Sequence, residues 1–460
     1  MRLGSATSRR SSAVAATLVA VLALTACGTG AAGTGATASA TAGASAAPGG
    51  PGQAGGNATQ QYAATGAYTL ASGAASKAGT ITASAQNQSG VLVTGGSLAL
   101  SGAKVTTTGD SSSSDESSFY GLNAGVLATG GTIAMSGGSV TTSGDGANAV
   151  FAYGKAAVSL SGTTISATGQ YAHGIMASGG GTIKATGVTV TTTGGSSAPI
   201  ATDRGGGTIT VFGGNYRSTG ANSPAIYSTG AVTATGGAYA ATGSEVVVIE
   251  GANSVKLTGA ALTASKAGKW GVMIYQSMSG DASGTKGTYT QTGGSLAETA
   301  TGSPLFYVTN TTGVITLSGV KLTVAGGVLL KAAAGQWGTA GSNGGTVQLN
   351  ASGQALAGDV VADASSSVVI NLTKSSTLVG ALDAAGTAKS VTLTMDGSSA
   401  WTVTGDSHLT ALTGAAISGS TITNITGNGH TVTYDASNSA NAYLGGKTYT
   451  LTGGGTLAKA

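Results

Sequence analysis

The sequence holds a single cysteine, Cys27, among its 460 residues. One cysteine excludes a disulfide bond within the chain, so packing and hydrogen bonds have to stabilise the fold. Charged side chains are also scarce, at 7% of the residues. So few charges do not form the broad basic surface that nucleic acid requires, and we expect no nucleic-acid partner.

Long apolar runs are scarce as well, and the clearest one lies near the start. Ala13 to Leu24 follows three arginines and leads into the tetrapeptide LTAC, which ends at Cys27. A basic start, a short apolar run and small residues predict a secretory signal over residues 1–27, too short to cross a bilayer. The LTAC ending resembles the lipobox of bacterial lipoproteins. The resemblance implies a lipid on Cys27, and through it a membrane as a partner.

A low-complexity segment follows the signal. Residues 28–66 are nearly all Gly, Ala, Ser, Thr and Pro, a composition with too little apolar bulk to order itself, and we expect a flexible tether. Loss of the signal would remove Arg2, Arg9 and Arg10, leaving sixteen basic residues against fifteen acidic ones. The sequence thus predicts a nearly neutral, extracytoplasmic protein anchored by lipid to a bacterial membrane or cell surface.

Glycine, in contrast, is abundant, with 81 residues, and its placement is periodic. Three similar copies follow one another from Ala124 to Gly194: AGVLATGGTIAMSGGSVTTSG, DGANAVFAYGKAAVSLSGTTISATG and QYAHGIMASGGGTIKATGVTVTTTG. A repeat of roughly 20 to 50 residues is typical of a solenoid. The chain is therefore expected to stack repeated units instead of forming a globular core.

The periodicity inside each copy identifies the kind of solenoid. Ile133 and Met135 alternate with Ala134 and Ser136, which is the period of a β-strand and not of a helix. Each copy holds three such runs between glycines. We predict an all-β fold, a right-handed parallel β-helix with three strands per coil, over residues 67–460. About twelve coils are expected, with irregular coils or a cap from about residue 384.

The first strand of each coil has an unusual outward face. Its inward positions carry Val and Ile, and its outward positions are also apolar or aromatic. This strand-one stripe is predicted to contain Leu92, Leu127, Phe151, Met176, Ala201, Tyr227, Met273 and Phe306, with Tyr153 and Tyr275 beside them. Three insertions, Asp110 to Asn123, Gln276 to Gly287 and Ala334 to Gly344, enter or leave the same strand.

The stripe has two interpretations. Either the insertions fold over it, or it is exposed and binds a glycan or a protein, as contiguous apolar patches do. On the second interpretation, the ligand-binding residues are Phe151, Tyr153, Tyr227, Met273, Tyr275 and Phe306.

The three-strand coil with glycine-rich turns resembles the parallel β-helix of pectate lyase-like proteins and of bacterial adhesins. The resemblance implies either adhesion without catalysis, which we expect, or a polysaccharide lyase or hydrolase. For an enzyme, the candidate groups are Asp203 and Arg204, with Lys184 and Arg217 on other strands. Acid/base or metal chemistry needs converging ligands, so an enzyme would require at least two more carboxylates near Asp203. No metal or cofactor is expected.

A third function is ice binding, since the outward side of the third strand resembles the ice-contacting ladder of β-solenoid ice-binding proteins. Thr is also simply a good residue for an exposed strand. The ladder is predicted to contain Thr106, Thr108, Thr141, Ser143, Ser166, Thr168, Thr191 and Thr193.

Overall fold

The computed structural model describes Gln60 and residues 62–460. The signal over residues 1–27, with Cys27, and most of the tether over residues 28–66 lie outside the described residues. The first strand begins at Thr65.

Three parallel sheets, A, B and C, hold the first, second and third strands of successive coils. Sheet A contains twelve strands: Thr65–Leu70, Gln88–Val93, Val126–Ala128, Val150–Tyr153, Ile175–Ser178, Ile200–Thr202, Ile226–Ser228, Val247–Glu250, Val272–Tyr275, Phe306–Thr309, Val328–Ala332 and Asp359–Ala362.

Sheet B contains fourteen strands: Ala74–Lys77, Ser97–Ser101, Thr132–Ser136, Ala157–Ser161, Thr182–Thr186, Thr208–Phe212, Ala231–Thr235, Ser254–Thr258, Lys286–Thr292, Thr311–Ser318, Gly345–Ser352, Ser367–Thr373, Ser390–Met395 and Ala411–Thr413. Sheet C contains ten strands: Thr80–Ala83, Lys104–Thr107, Ser139–Thr142, Thr164–Ala167, Thr189–Thr192, Asn215–Ser218, Ala238–Ala241, Ala261–Ala264, Ser295–Glu298 and Lys321–Val324.

Within each of these three sheets, every strand pairs in parallel with its equivalent in an adjacent coil, which confirms the right-handed parallel β-helix. In sheet B, for example, Val158 lies between Ile133 and Ile183. The helix has about 16 turns, more than the twelve expected. The expected number omits the first strand of sheet B, Ala74–Lys77, and the last, Ala411–Thr413, since both lie in coils that depart from the pattern of the three similar copies.

The core is the column of inward side chains between the three sheets. One continuous cluster of buried residues includes Val150 from sheet A, Val158 from sheet B and Ile165 from sheet C. Because each inward residue stacks on its equivalent one coil away, each coil buries its apolar face mainly against its neighbours.

Phe306 is a correction to the predicted stripe. It pairs with Val272 and belongs to the inward core, while Tyr307 takes the outward position beside Met273. The run Leu305 to Val308 is apolar at every position. Alternation therefore gives no register there, and the one-residue error exchanged the two faces.

Some corners of the coils require glycine because the backbones approach so closely. A Cβ on Gly194 would overlap the carbonyl oxygen of Gly169, and a Cβ on Gly169 would overlap that of Gly144. Any side chain at these positions has to push two coils apart.

At the C-terminal end, a fourth sheet, D, replaces sheet C. It contains Ala355–Ala357, Thr377–Val379, Ala400–Thr402, Ser407–Leu409, Ile417–Ser418, Thr421–Thr426, Thr431–Tyr434, Tyr449–Thr452 and Thr456–Lys459. Two of its pairings are antiparallel, and a 3-10 helix, Ser439–Leu444, precedes the last two strands.

In the part of the chain that the structure describes, no helix has the length and apolar character needed to cross a membrane.

Candidate functional site

All three insertions adjoin sheet A, and we call them lid 1 (Asp110 to Asn123), lid 2 (Gln276 to Gly287) and lid 3 (Ala334 to Gly344). Lid 1 contains a short helix, α1, Ser114–Tyr120. Its sequence encodes both ends: the Ser113 side chain accepts a hydrogen bond from Glu116 N–H, and Gly121 ends α1 in the left-handed conformation.

Lid 1 packs on the first half of the stripe. Gly121 lies directly against Leu127 and Phe151, because a Cβ there would come within 2.6 and 2.7 Å of their side chains. Hydrogen bonds also hold the lid to the coils, among them Asn148 Nδ2 to the Ser117 carbonyl at 2.9 Å and Ser178 Oγ to that of Phe119 at 2.5 Å. Phe151 is consequently completely buried.

Aromatic rings cover the second half of the stripe. Trp270 stacks on Tyr307 with ring centres 4.1 Å apart, and Trp337 of lid 3 lies 4.7 Å from Tyr275. Met273 and Tyr275 are buried, and of the six predicted ligand-binding residues only Tyr153 and Tyr227 keep part of their surface exposed. The strand-one stripe is therefore covered and not exposed, which is the first of the two interpretations.

Beneath lids 1 and 2 lies a polar network that the sequence only partly indicated. Its centre is the turn Asp203–Arg204, which follows a strand of sheet A. Ser118 Oγ of lid 1 donates to Asp203 Oδ2 at 2.6 Å. The Arg204 guanidinium lies 3.8 Å from the centre of the Phe119 ring and binds Asp281 Oδ1 of lid 2 at 2.9 Å.

Glu250 of sheet A ties lid 2 to the stripe. Its carboxylate accepts hydrogen bonds from Tyr227 at 2.5 Å and Tyr275 at 2.7 Å, and it also contacts the Ser277 hydroxyl. Within lid 2, Ser279 N–H donates to Ser277 Oγ, and Ser279 Oγ donates to Asp281 Oδ2, both at 3.0 Å. Hydrogen bonds therefore link the two lids through residues far apart in sequence.

Asp203 has an unusual acidity. Burial, and then the negative charge of Asp281, raise its pKa from 3.8 to about 7, although hydrogen bonds from Ser118 and the Arg204 N–H act in the opposite direction. Burial also raises the pKa of Tyr227 and Tyr275 well above the ordinary value. Asp203 is thus a carboxyl group that exchanges its proton near neutrality, in a place almost closed to solvent.

The network does not have the form of a metal centre. Across Gln60 and residues 62–460, no group of three or more His, Cys, Asp or Glu side chains is arranged to hold a metal ion. The other candidate bases lie elsewhere, Lys184 on the outward face of sheet B and Arg217 on that of sheet C.

The histidines are separate from the network. His173 accepts a hydrogen bond from Ala198 N–H at 2.9 Å, and burial lowers its pKa to about 4. His408 and His430 belong to the C-terminal coils.

The outward face of sheet B is a second candidate, which sequence reasoning missed. Among the described residues, its strands contain no Asp or Glu, and outward positions carry mainly Ser, Thr and Ala. Two shallow grooves of about 340 and 310 Å³ lie on it and share Ser159 and Lys184. Phe212 is 41% exposed, and Lys184 Nζ lies 5.5 Å from the centre of its ring. The available signal in the sequence was the absence of acidic residues from the second strand of each coil.

The predicted Thr ladder lies in register on sheet C. Thr106, Thr141, Ser166 and Thr191 pair in succession on its outward side, and Arg217 and Ala240 continue the same row. Its outer members Thr108, Ser143, Thr168 and Thr193 are exposed.

Comparisons of the chain with protein-family models, with curated proteins and with solved structures find no match.

Proposed function

We propose that this protein is a non-catalytic surface lipoprotein, anchored through Cys27, whose β-helix binds an extended glycan along the outward face of sheet B. The observation that supports this most is the grooved, acid-free face itself. All three lids adjoin sheet A. On sheet B, each coil adds further hydroxyl groups to the outward face. Polar and apolar groups of this kind, set along shallow grooves, suit a neutral or weakly anionic polysaccharide.

The strand spacing supports a long ligand over a compact one. Parallel strands repeat about every 4.8 Å, so similar hydroxyl groups recur along the whole sheet. The exposed Phe212 ring supplies an apolar surface for a sugar ring, and Lys184 beside it favours any acidic substituent.

Affinity electrophoresis in gels that contain neutral or uronate-rich polysaccharides tests the proposal. Ser159→Glu places a charge in both grooves and is expected to abolish retardation. Ser166→Glu, on sheet C of the same coil, is the matched control and is expected to migrate as the wild type does. Equal retardation of all three proteins would remove sheet B as the binding face.

The anchor has a separate test. Detergent phase partition of the expressed protein is expected to place the wild type in the detergent phase and Cys27→Ser in the aqueous phase. Aqueous partition of the wild type would reject lipidation without affecting the glycan face.

A polysaccharide lyase or hydrolase remains the second candidate, and one observation favours it. Asp281 and Glu250 lie close enough to Asp203 to raise its pKa, so the two further carboxylates required of an enzyme are present. Release of reducing ends or unsaturated products from polyuronates, lost in Asp203→Asn, would support this candidate over simple binding. We expect no product, because the lids close the network to a polymer.

Ice binding is the third candidate, and the in-register ladder on sheet C favours it. Thermal hysteresis and faceting of ice crystals test it, with Thr141→Lys as the variant that interrupts the ladder. Absence of hysteresis in the wild type would dismiss it.

A further inference from the structure

The turn Asp203–Arg204 is the place where lids 1 and 2 are held together. From lid 1 it receives the Ser118 hydroxyl and the Phe119 ring, and from lid 2 the Asp281 carboxylate. Neither lid could lift without breaking a contact to this turn.

We propose that lids 1 and 2 act as one cover over the strand-one stripe, and that protonation of Asp203 controls this cover, which tightens in acid and loosens towards neutrality. This device concerns sheet A alone and does not depend on the glycan face of sheet B.

The charges around Asp203 explain why its proton matters. Lid 2 contributes Asp281, sheet A contributes Glu250, and its own turn contributes Arg204, the one basic side chain among these groups. Arg204 is already paired with Asp281, and its Nε is buried without a hydrogen-bond partner. A negative charge on Asp203 is therefore repelled by two carboxylates, and the one guanidinium that attracts it is already paired with Asp281.

The remaining titratable neighbours add no positive charge. Glu116 and Tyr120 belong to α1, and the charges of both Glu116 and Arg204 act on Tyr120. From sheet A, Tyr227 and Tyr275 face the network and stay neutral, because their pKa values are raised. At neutral pH the closed cover thus holds more negative than positive charge.

The direction of the effect follows from linkage. In the closed form the pKa of Asp203 is about 7, and exposure on opening would return it towards 3.8. The closed form therefore binds the proton more tightly. Between pH 4 and pH 7 the ratio of open to closed forms rises by up to about tenfold per pH unit, and above that range it levels off.

Opening would change the surface of the molecule substantially. Phe151 and Met176 are fully buried in the half of the stripe that lid 1 covers. Their exposure would create a contiguous apolar patch, the kind of surface that attracts other proteins or membranes.

Hydrogen–deuterium exchange of the whole protein at pH 5 and pH 7.5, corrected for the intrinsic pH dependence of exchange, tests the proposal. Lids 1 and 2 are expected to lose protection together by at least tenfold at pH 7.5. The sheet B strand Ala157–Ser161 is expected to keep its protection. Equal protection of the lids at both pH values would overturn the proposal.

Two isosteric variants assign the effect to Asp203. Asp203→Asn is expected to abolish the pH dependence, and Asp406→Asn, an exposed acid of the C-terminal coils, is expected to retain it. Asp281→Asn removes the neighbouring charge and is expected to move the transition to lower pH, which decides the matter even if Asp203→Asn fails to fold. An unchanged transition in Asp281→Asn would also overturn the proposal.

Discussion

The outward faces of sheets A and B belong to the same coils but differ in almost every respect. Sheet A presents Phe151 and Met176 outward and is covered by lids, while sheet B presents Ser159 and Lys184 and has grooves open to solvent. A β-helix buries only the inward half of each strand, so the outward residues decide what else is needed. Apolar outward residues require a cover, and hydroxyl-bearing ones do not.

The titratable groups follow the same division. Asp203 and Glu250 lie beneath the lids of sheet A, close to Asp281 of lid 2, whereas no strand of sheet B, among the described residues, contains an acid. Burial changes proton affinity, and exposure leaves it near its ordinary value. We therefore expect pH to act on the covered side and ligands on the bare one.

Truncation of one outward side chain on each face is the strongest test of this contrast. Phe151→Ala is expected to lower the free energy of unfolding by about 3 to 5 kcal/mol, because it leaves a cavity under lid 1. Ser159→Ala, in the same coil on sheet B, is expected to change it by less than about 0.5 kcal/mol. Chemical denaturation followed by circular dichroism measures both, and similar losses would refute the contrast.

The pH dependence of stability is the next largest effect. His173 lies where the coil turns towards sheet A, and its folded pKa of about 4 is below the ordinary 6.5. The unfolded chain thus binds the proton first, and the contribution of His173 to stability falls as the pH drops from 6.5 to 4, by up to about 3 kcal/mol.

His173→Asn keeps an acceptor for Ala198 N–H and removes the titration. Asp203 acts in the opposite direction over this range, so the quantity to compare is the difference between the two proteins: thermal denaturation between pH 4 and pH 7 is expected to show the wild type losing stability relative to this variant as the pH drops. Parallel curves for the two proteins would contradict the assignment.

Two glycine positions allow the cost of a backbone substitution to be compared between the two faces. Gly121 has a positive φ of 77° and no room for a Cβ beside Leu127, so Gly121→Ala is expected to cost about 2 kcal/mol. Gly162, next to sheet B, also has a positive φ but open space around it, and Gly162→Ala is expected to cost about 1 kcal/mol. Denaturation midpoints measure the difference, and a larger loss at Gly162 would contradict it.

The smallest expected change in stability is that of Lys184, on the open face of sheet B. Lys184→Ala on sheet B is expected to alter the free energy of unfolding by less than about 0.5 kcal/mol, because the side chain is exposed and forms no ion pair with any residue that the structure describes. Retardation by uronate-rich polysaccharide is expected to fall, while that by neutral polysaccharide stays. Loss of both would show that charge is not its role.

Much of the fold could be predicted from the sequence because a solenoid repeats local rules. Alternation in GTIAMSG or AVSLSG assigns each residue to a face, and the stacked positions Val158 and Ile183 follow from aligning the copies. The prediction was wrong at Phe306, where both faces are apolar and alternation is uninformative. The number of coils was underestimated where the repeat departs from its consensus.

The candidate site was much less predictable. Asp203 and Arg204 were recognised, but Ser118, Glu250 and Asp281 were not, because they reach the same place only through lids of irregular sequence. The pattern of the stripe allowed either exposure or burial. Only contacts such as those of Gly121 with Phe151 distinguish the two.

The sequence by itself therefore determined the parallel β-helix, since residue alternation and repeated glycines act between neighbours in the chain or one coil apart. The tertiary structure alone decided that the aromatic stripe is covered, that Asp203 shares its surroundings with two distant carboxylates, and that sheet B is the open face. Those features depend on how irregular insertions pack against side chains of other coils, and no periodic pattern encodes that packing.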